Sequence, residues 1–517
     1  MTPQHPSLRS WDSHTQPSHT ASPAPNSASL PKTTHQAGSA SKIPSSTPHP
    51  PAHHCLTLSI HLPPSAFHLN STTLNTTANL PVLIFIHGGA FFLGSGNRPY
   101  YSPASLLLHS LSGGKDVIYV AINYRLGSLG YQHATTSNDS MPPNNGLYDQ
   151  IRALEWVKAH IGGFGGDVGN ISVLGQSAGG ESISLLSHAE EVVEKNLFQR
   201  AIMFSGTPVT MPALTAEDHT SNFLSQAEKA GVDVKNSDGS ERAVEDVVRD
   251  MQSLPVDAIR DLAWVGLPCT STPLLPFPRP TMESAKKRKR TGKGVQAQLV
   301  STTTYDGGIS FNMMSRDSSR HSHAADFMKI ANDVLGPEHA SALCDIYAIS
   351  ESTPDPEALQ RICLFESDIG FFFAALAVCE AGAHLVPKTY FQIFDLPDPF
   401  EGPLRELGEF ATHTFDISTL LGGYDESLLP ENYAGIIASW RDVVLDFVRE
   451  GKAPCERFGE KGGGMVIGKE GVRRVESGEY MAGRRERLME LAEKIDEKEG
   501  WDVLWVDVCR RFLMKGE

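Results

Sequence analysis

The sequence predicts an α/β fold in which a mostly parallel central sheet is flanked by helices. Two observations carry this expectation. Short apolar runs recur along the chain, several of them continuous, as in strands buried on both faces. Segments with apolar residues at helical spacing alternate with those runs, the pattern of strands joined by crossover helices.

In chain order, Leu56–Leu62 alternates apolar and polar residues and predicts a strand with one buried face. Val82-Leu-Ile-Phe-Ile-His87 and Val117-Ile-Tyr-Val-Ala-Ile-Asn123 are apolar throughout and predict doubly buried strands. Tyr148–Ile161 carries Ile151, Leu154, Trp156, Val157 and Ile161 at helical spacing. Ile171–Leu174 predicts a short strand that runs directly into Gly175-Gln-Ser-Ala-Gly179 and a helix. Ala201–Phe204, Val295–Val300 and Thr389–Phe394 predict further strands, the last of them the final clear one. Helix-rich stretches at about 214–262 and 322–382 interrupt the alternation and are expected as insertions over one end of the sheet, a lid. Residues 433–450 predict an amphipathic helix through Ile436, Ile437, Trp440, Val443, Val444 and Phe447.

Composition narrows the function classes. The 517 residues are 40% hydrophobic and 20% charged, an ordinary globular balance. With 44 Lys and Arg against 60 Asp and Glu the net charge is −16, which argues against binding nucleic acid through phosphate neutralisation. No run of 18 uncharged apolar residues occurs, so no membrane-spanning helix is expected. The seven cysteines are odd in number and widely spaced, with no Cys-x-x-Cys, so no metal site is expected and most should be buried free thiols. No cofactor is implied. Lys286-Lys-Arg-Lys-Arg290 reads as a solvated loop run rather than a nuclear address.

Residues 1–52 stand apart: Pro, Ser and Thr make up 27 of the 52, with Asp12 the one acidic residue. Such a stretch buries too little apolar surface to offset its ordering entropy and is expected to be disordered, ahead of a folded domain over 53–517. It lacks the apolar core of a secretory signal, which points to the cytoplasm for the chain as written, or to secretion if the start is misassigned. Sequons at Asn70, Asn75, Asn138 and Asn170 do not decide the point.

The chemistry centres on Gly175-Gln176-Ser177-Ala178-Gly179, a G-x-S-x-G pattern. Small residues on either side let a serine sit on a sharp strand-to-helix turn, with its hydroxyl lifted clear of the sheet. About 0.2 such matches arise by chance in a chain of this length, so the weight comes from the strand before it and the helix after it. The first amides of that helix have no internal partner and can hold an oxyanion. His87-Gly88-Gly89-Ala90, after the strand at 82–86, has the bare backbone needed for the other half of an oxyanion hole. The expected donors are the amides of Gly89, Ala90 and Ala178. Phe91 and Phe92 suggest an apolar acyl side, although core packing accounts for at least one of them equally well.

Taken together, Pro81-Val-Leu-Ile-Phe-Ile-His-Gly-Gly-Ala-Phe91, Asn123-Tyr-Arg-Leu-Gly127, Asn145-Gly-Leu-Tyr-Asp-Gln150, Ala153-Leu-Glu-Trp-Val157 and Phe164–Gly180 resemble the type B carboxylesterase family of α/β-hydrolases, which includes the cholinesterases. The resemblance covers roughly residues 55–450, and Phe394-Asp-Leu and His413-Thr-Phe-Asp416 are similar to its fungal members. It implies an α/β-hydrolase fold and a serine carboxylic-ester hydrolase acting on a small-molecule ester through an acyl-enzyme. It places the base at His413, among twenty histidines, with His321 and His323 as bland alternatives. It places the acid at Asp306, after the strand at 295–300, where the family usually has Glu before Gly; Glu366 and Asp368 are weaker candidates. An Asp-Gly pair also favours an ordinary turn.

Two departures narrow the reading. Gln176 stands where the family commonly has Glu, which argues for neutral esters. Residues 53–80 contain no Trp for an aromatic cation cage, and Cys55 has no upstream cysteine, which rejects a cholinesterase. A non-catalytic binding module of the neuroligin kind and a hydrolase-fold acyltransferase or eliminating enzyme remain as alternatives.

Overall fold

The computed structural model describes residues 55–260, 262, 266–286, 294–459 and 462–514. The 1–52 tail and the Lys287–Arg290 part of the basic run lie outside the described residues. Among the described residues nine strands form one sheet: β1 (Leu58–His61), β2 (Leu80–Ile86), β3 (Ile118–Ile122), β4 (Gly166–Gln176), β5 (Arg200–Phe204), β6 (Ala297–Thr303), β7 (Lys388–Phe394), β8 (Gly464–Gly468) and β9 (Gly471–Val475). Their order is β1-β3-β2-β4-β5-β6-β7-β8-β9, antiparallel only at the two outer pairs, β1/β3 and β8/β9.

The continuous apolar runs are continuous because both faces of the sheet are covered. Alternate residues point to opposite layers. Val82, Ile84, Ile86, Val173 and Met203 pack on one side, with Ile151 and Leu154 of the helix Asn145–His160 and Ile183 of the helix Ala178–Leu186. Leu83, Phe85, Leu174, Ile202 and Phe204 pack on the other, with Ile437, Trp440 and Val444 of the helix Tyr433–Glu450. Trp440 is fully buried, and its indole N–H donates to Gln392 Oε1 of β7 at 3.0 Å.

Three details differ from the sequence reading. β4 begins at Gly166, five residues earlier than expected, because Gly166 pairs with Leu80 across an irregularity in the β2 ladder that the polar stretch Asp167–Asn170 hides. β6 runs Ala297–Thr303, so its polar end Ser301–Thr303 is strand, fully buried, where apolarity alone stops at Val300. Thr389–Phe394 is not the last strand: β8 adds in parallel to β7 and returns as β9 through a Lys469-Glu470 turn, with Gly471 at φ 97°.

In the two helix-rich regions the helices are Ala216–Lys229, Val244–Gln252 and Val256–Arg260, then His323–Tyr347 and a stretch from Asp355 to Leu385. The second region ends in one helical stretch, Asp355–Leu385, long and apolar enough to cross a membrane, but 83% of its apolar window is buried inside the protein, as in a core helix. A π-helical turn, Ser367–Phe372, sits in its middle. Asp368 fixes this turn, accepting from Arg484 at 2.6 Å, Arg485 at 2.8 Å and Tyr347 Oη at 3.0 Å. The two guanidiniums hold its buried carboxyl below the usual range against the opposing effect of burial. Asp368 is thus engaged by the helix Arg484–Ile495, and among the described residues its hydrogen-bond partners are Arg484, Arg485 and Tyr347.

Candidate active site

β4 ends at Gln176, and Ser177 is the turn residue before the helix Ala178–Leu186. Its backbone sits at φ 56°, ψ −127°, a region that costs a non-glycine residue of order 1–3 kcal/mol. The surroundings enforce it. Ser177 N–H donates to the Phe204 carbonyl of β5 at 2.7 Å, and its own carbonyl accepts from Glu181 N–H at 3.0 Å. The flanking glycines are sterically required: a Cβ on Gly175 would lie 2.4 Å from the Gly179 carbonyl carbon and oxygen, and one on Gly179 would lie 2.0 Å from the Ile86 carbonyl oxygen. The turn therefore presents a half-buried serine side chain on top of the sheet.

The His87–Ala90 turn leaves β2, next to β4 in the sheet, and packs directly on the serine turn. A Cβ on Gly88 would meet Ser177 Cβ at 2.9 Å and the Gln176 carbonyl at 2.5 Å. Gly89, Ala90 and Phe91 all have positive φ, 119°, 54° and 60°. The loop is pinned at both ends: Tyr124 Oη donates to the His87 carbonyl at 2.8 Å, and Gly127 N–H donates to the Phe91 carbonyl at 2.8 Å. His87 stacks on Tyr124, and burial pulls its imidazole down to about 4, so it is neutral near pH 7. Among the described residues no protein acceptor takes the amides of Gly89, Ala90 or Ala178. Phe91 is wholly buried against Tyr131 and belongs to the core, whereas Phe92 is 38% exposed.

Asp306 follows β6 and His413 lies in the loop after β7. An isolated parallel bridge, Tyr305 to Thr412, ties the two loops together, with Tyr305 N–H donating to the Ala411 carbonyl at 3.1 Å. The result is a contact of 2.7 Å between His413 Nδ1 and Asp306 Oδ1, 107 residues apart and nearly closed to solvent. Asp306 Oδ2 accepts from Thr302 Oγ1 at 2.7 Å and Thr303 N–H at 2.9 Å. Three donors on one carboxylate fix its plane. The Phe371 ring, on the π-helical turn, packs T-shaped with the imidazole, 5.4 Å between centroids. At His413 Nε2 the neighbour is Gln176 Nε2, at 3.0 Å.

The other sequence candidates are committed elsewhere. His323 contacts Asp355 at 2.7 Å at the start of the helix His323–Tyr347. His321 is exposed on a loop. Glu366 accepts from Ser310 Oγ at 2.7 Å; burial, and then the Asp306 charge, push its carboxyl up to about 8, so it is neutral near pH 7.

Two buried groups beside His413 escaped the sequence reading. One is Gln176 as a direct contact of the imidazole. The other is Asp416, in the first turn of the helix Phe415–Leu421, where an acidic residue reads simply as a helix-start signal. Burial, with Asp306 adding to it and His413 opposing it, raises Asp416 to about 7. A carboxyl raised from 3.8 when unfolded to about 7 when folded contributes stability below pH 4 that is lost as pH rises through 7. Asp416→Asn is therefore expected to flatten the fall in melting temperature between pH 4.5 and 7.5 relative to the parent chain. Equal slopes for the two proteins would contradict this environment for Asp416.

Among the described residues no group of three or more His, Cys, Asp or Glu side chains gathers as a metal-binding cluster. None of the seven cysteines forms a disulfide among the described residues, and six of them are buried.

Residues 3–460 match the Carboxylesterase family. The para-nitrobenzyl esterase of Bacillus subtilis is 31% identical over 67% of this chain and 65% of its own length. The liver carboxylesterase of Sus scrofa is 40% identical over 32% of this chain and 25% of its own. Esterase FE4 of Myzus persicae is 36% identical over 40% of this chain and 33% of its own. The chain thus spans less than two thirds of the length of these relatives. A solved PNB esterase structure superposes with a TM-score of 0.62 at 22% identity, covering 84% of this chain and 83% of that one. That likeness shows the α/β-hydrolase fold. With the family match running over most of the sequence, this chain belongs to the carboxylesterase family.

Proposed function

We propose that the protein is a carboxylic-ester hydrolase that works through an acyl-enzyme on Ser177. The observation that carries the reading is the His413–Asp306 contact beside a strained serine turn whose neighbouring amides have no protein acceptor among the described residues. Ser177 Oγ attacks the ester carbonyl carbon while His413 Nε2 takes its proton. Asp306 Oδ1 accepts from Nδ1–H, orients the ring and stabilises the imidazolium. The amides of Gly89, Ala90 and Ala178 receive the oxyanion as it forms. Collapse expels the alcohol with the proton from His413. Water, deprotonated by the same nitrogen, then releases the acid and regenerates the serine.

The substrate side supports a neutral, apolar ester. The residue before Ser177 is an uncharged glutamine, and the rings of Phe92 and Phe371 flank the oxyanion loop and the base. The expected result is hydrolysis of p-nitrophenyl esters with kcat/KM at least about tenfold above that for acylthiocholines of equal acyl length, since Gln176 offers the cation no countercharge to offset its desolvation. Comparable values for the two series would overturn the preference for neutral esters. Background rates on every ester, from a folded sample, would overturn the hydrolase.

A further inference from the structure

His413 has two ring nitrogens, and both are engaged in the resting protein. Nδ1 faces Asp306 Oδ1 at 2.7 Å, and Nε2 faces the side-chain amide nitrogen of Gln176 at 3.0 Å. Ionised Asp306 only accepts, so Nδ1 carries a proton and donates. In the neutral ring Nε2 then presents a lone pair, and only a donor can satisfy it. The Gln176 amide supplies one. Gln176 is fully buried at the end of β4, with its main chain in register with Phe204 of β5. Among the described residues its Oε1 has no hydrogen-bond partner, and it lies on the Gly88 side, where an added Cβ would approach it to 2.9 Å. The amide is therefore wedged between the oxyanion turn and the base.

We propose that Gln176 is a positioning residue for His413: its amide donates to Nε2, holding the imidazole neutral with the proton on Nδ1, in the form that can accept the proton of Ser177. The inference rests on the serine mechanism proposed above and adds a residue to it. Nε2 has one in-plane lone pair, so the Ser177 hydroxyl must displace the amide as the ester enters. When Nε2 becomes N–H, a half-turn of the amide brings the unpartnered Oε1 round as acceptor. An uncharged group can serve both protonation states in this way. A carboxylate at the same place would favour only the imidazolium.

The charged and titratable groups around His413 are Asp306 from the loop after β6, Asp416 from the helix that follows His413 and, behind Asp306, Glu366 from the helix Asp355–Glu366. Gln176→Glu adds a further acid against Nε2, and Gln176→Met removes the donor at similar volume. The test uses the full chain with 15N-labelled histidine. His413 is assigned by the resonance missing in His413→Gln, and its titration is followed by long-range 1H–15N spectra alongside the pH profile of kcat/KM for p-nitrophenyl acetate. In the parent, the neutral ring is expected to be the tautomer protonated at Nδ1. Gln176→Glu is expected to move the His413 titration, and with it the acid limb of kcat/KM, up by about one to two pH units. Gln176→Met should move both up by roughly half a unit, with KM nearly unchanged. Identical His413 titrations in all three proteins would overturn the role of Gln176, whatever the activity. A His413 titration that shifts as stated in chains without esterase activity would support the Gln176 contact and overturn the hydrolase reading instead.

Discussion

Ser177→Ala is expected to lower kcat for a p-nitrophenyl ester by about 10^4-fold or more, because the covalent route is lost and only binding and the oxyanion amides remain. KM should change little, since the hydroxyl contributes almost nothing to ground-state binding. The variant should fold as the parent does. The backbone at φ 56°, ψ −127° is held by the Phe204 and Glu181 hydrogen bonds and by glycine contacts, none of which involves Oγ. Ser177→Gly sharpens the test: it should be equally inactive yet melt higher than Ser177→Ala, because glycine adopts this conformation with less strain. Steady-state kinetics with melting curves on the three proteins checks both statements. Residual activity within tenfold of the parent in Ser177→Ala would remove Ser177 as the nucleophile.

The second large effect belongs to the acid. Asp306→Asn is expected to cost about 10^4-fold in kcat, because the amide can present N–H to Nδ1 and favour the tautomer with its proton on the wrong nitrogen. Glu366→Gln is the matched control. Glu366 is buried nearby, but it is already uncharged at neutral pH and bonded to Ser310, so an amide of the same size should leave activity within a few-fold. Parallel kcat/KM measurements at pH 7.5 decide between them. A large loss in Glu366→Gln together with a small one in Asp306→Asn would transfer the role to Glu366.

The parts of the site legible in the sequence are those that are contiguous in the chain. Ser177 and the Ala178 amide lie in one strand–turn–helix unit, and the apolar run of β2 delivers Gly89 and Ala90 to the adjacent strand end. Asp306 and His413 are different. Their meeting depends on β6 and β7 lying side by side and on the Tyr305–Thr412 bridge, which leaves no local trace. Only resemblance to relatives singled them out. The hairpin β8–β9 went unread because the glycines at 462–464 look like loop, although Met465-Val-Ile467 is wholly apolar. Gln176 was visible as a departure from a familiar motif, but its contact with His413 required the fold.

One measurement goes to the covalent step itself. The protein is mixed with a p-nitrophenyl ester, quenched with acid within the first turnovers, digested and examined by mass spectrometry. The expected result is the acyl mass on the peptide containing Gly175-Gln-Ser-Ala-Gly179, localised to Ser177 and absent from Ser177→Ala. An acyl group on another residue, or turnover without any acyl-peptide when product release shows a burst, would contradict a Ser177 acyl-enzyme.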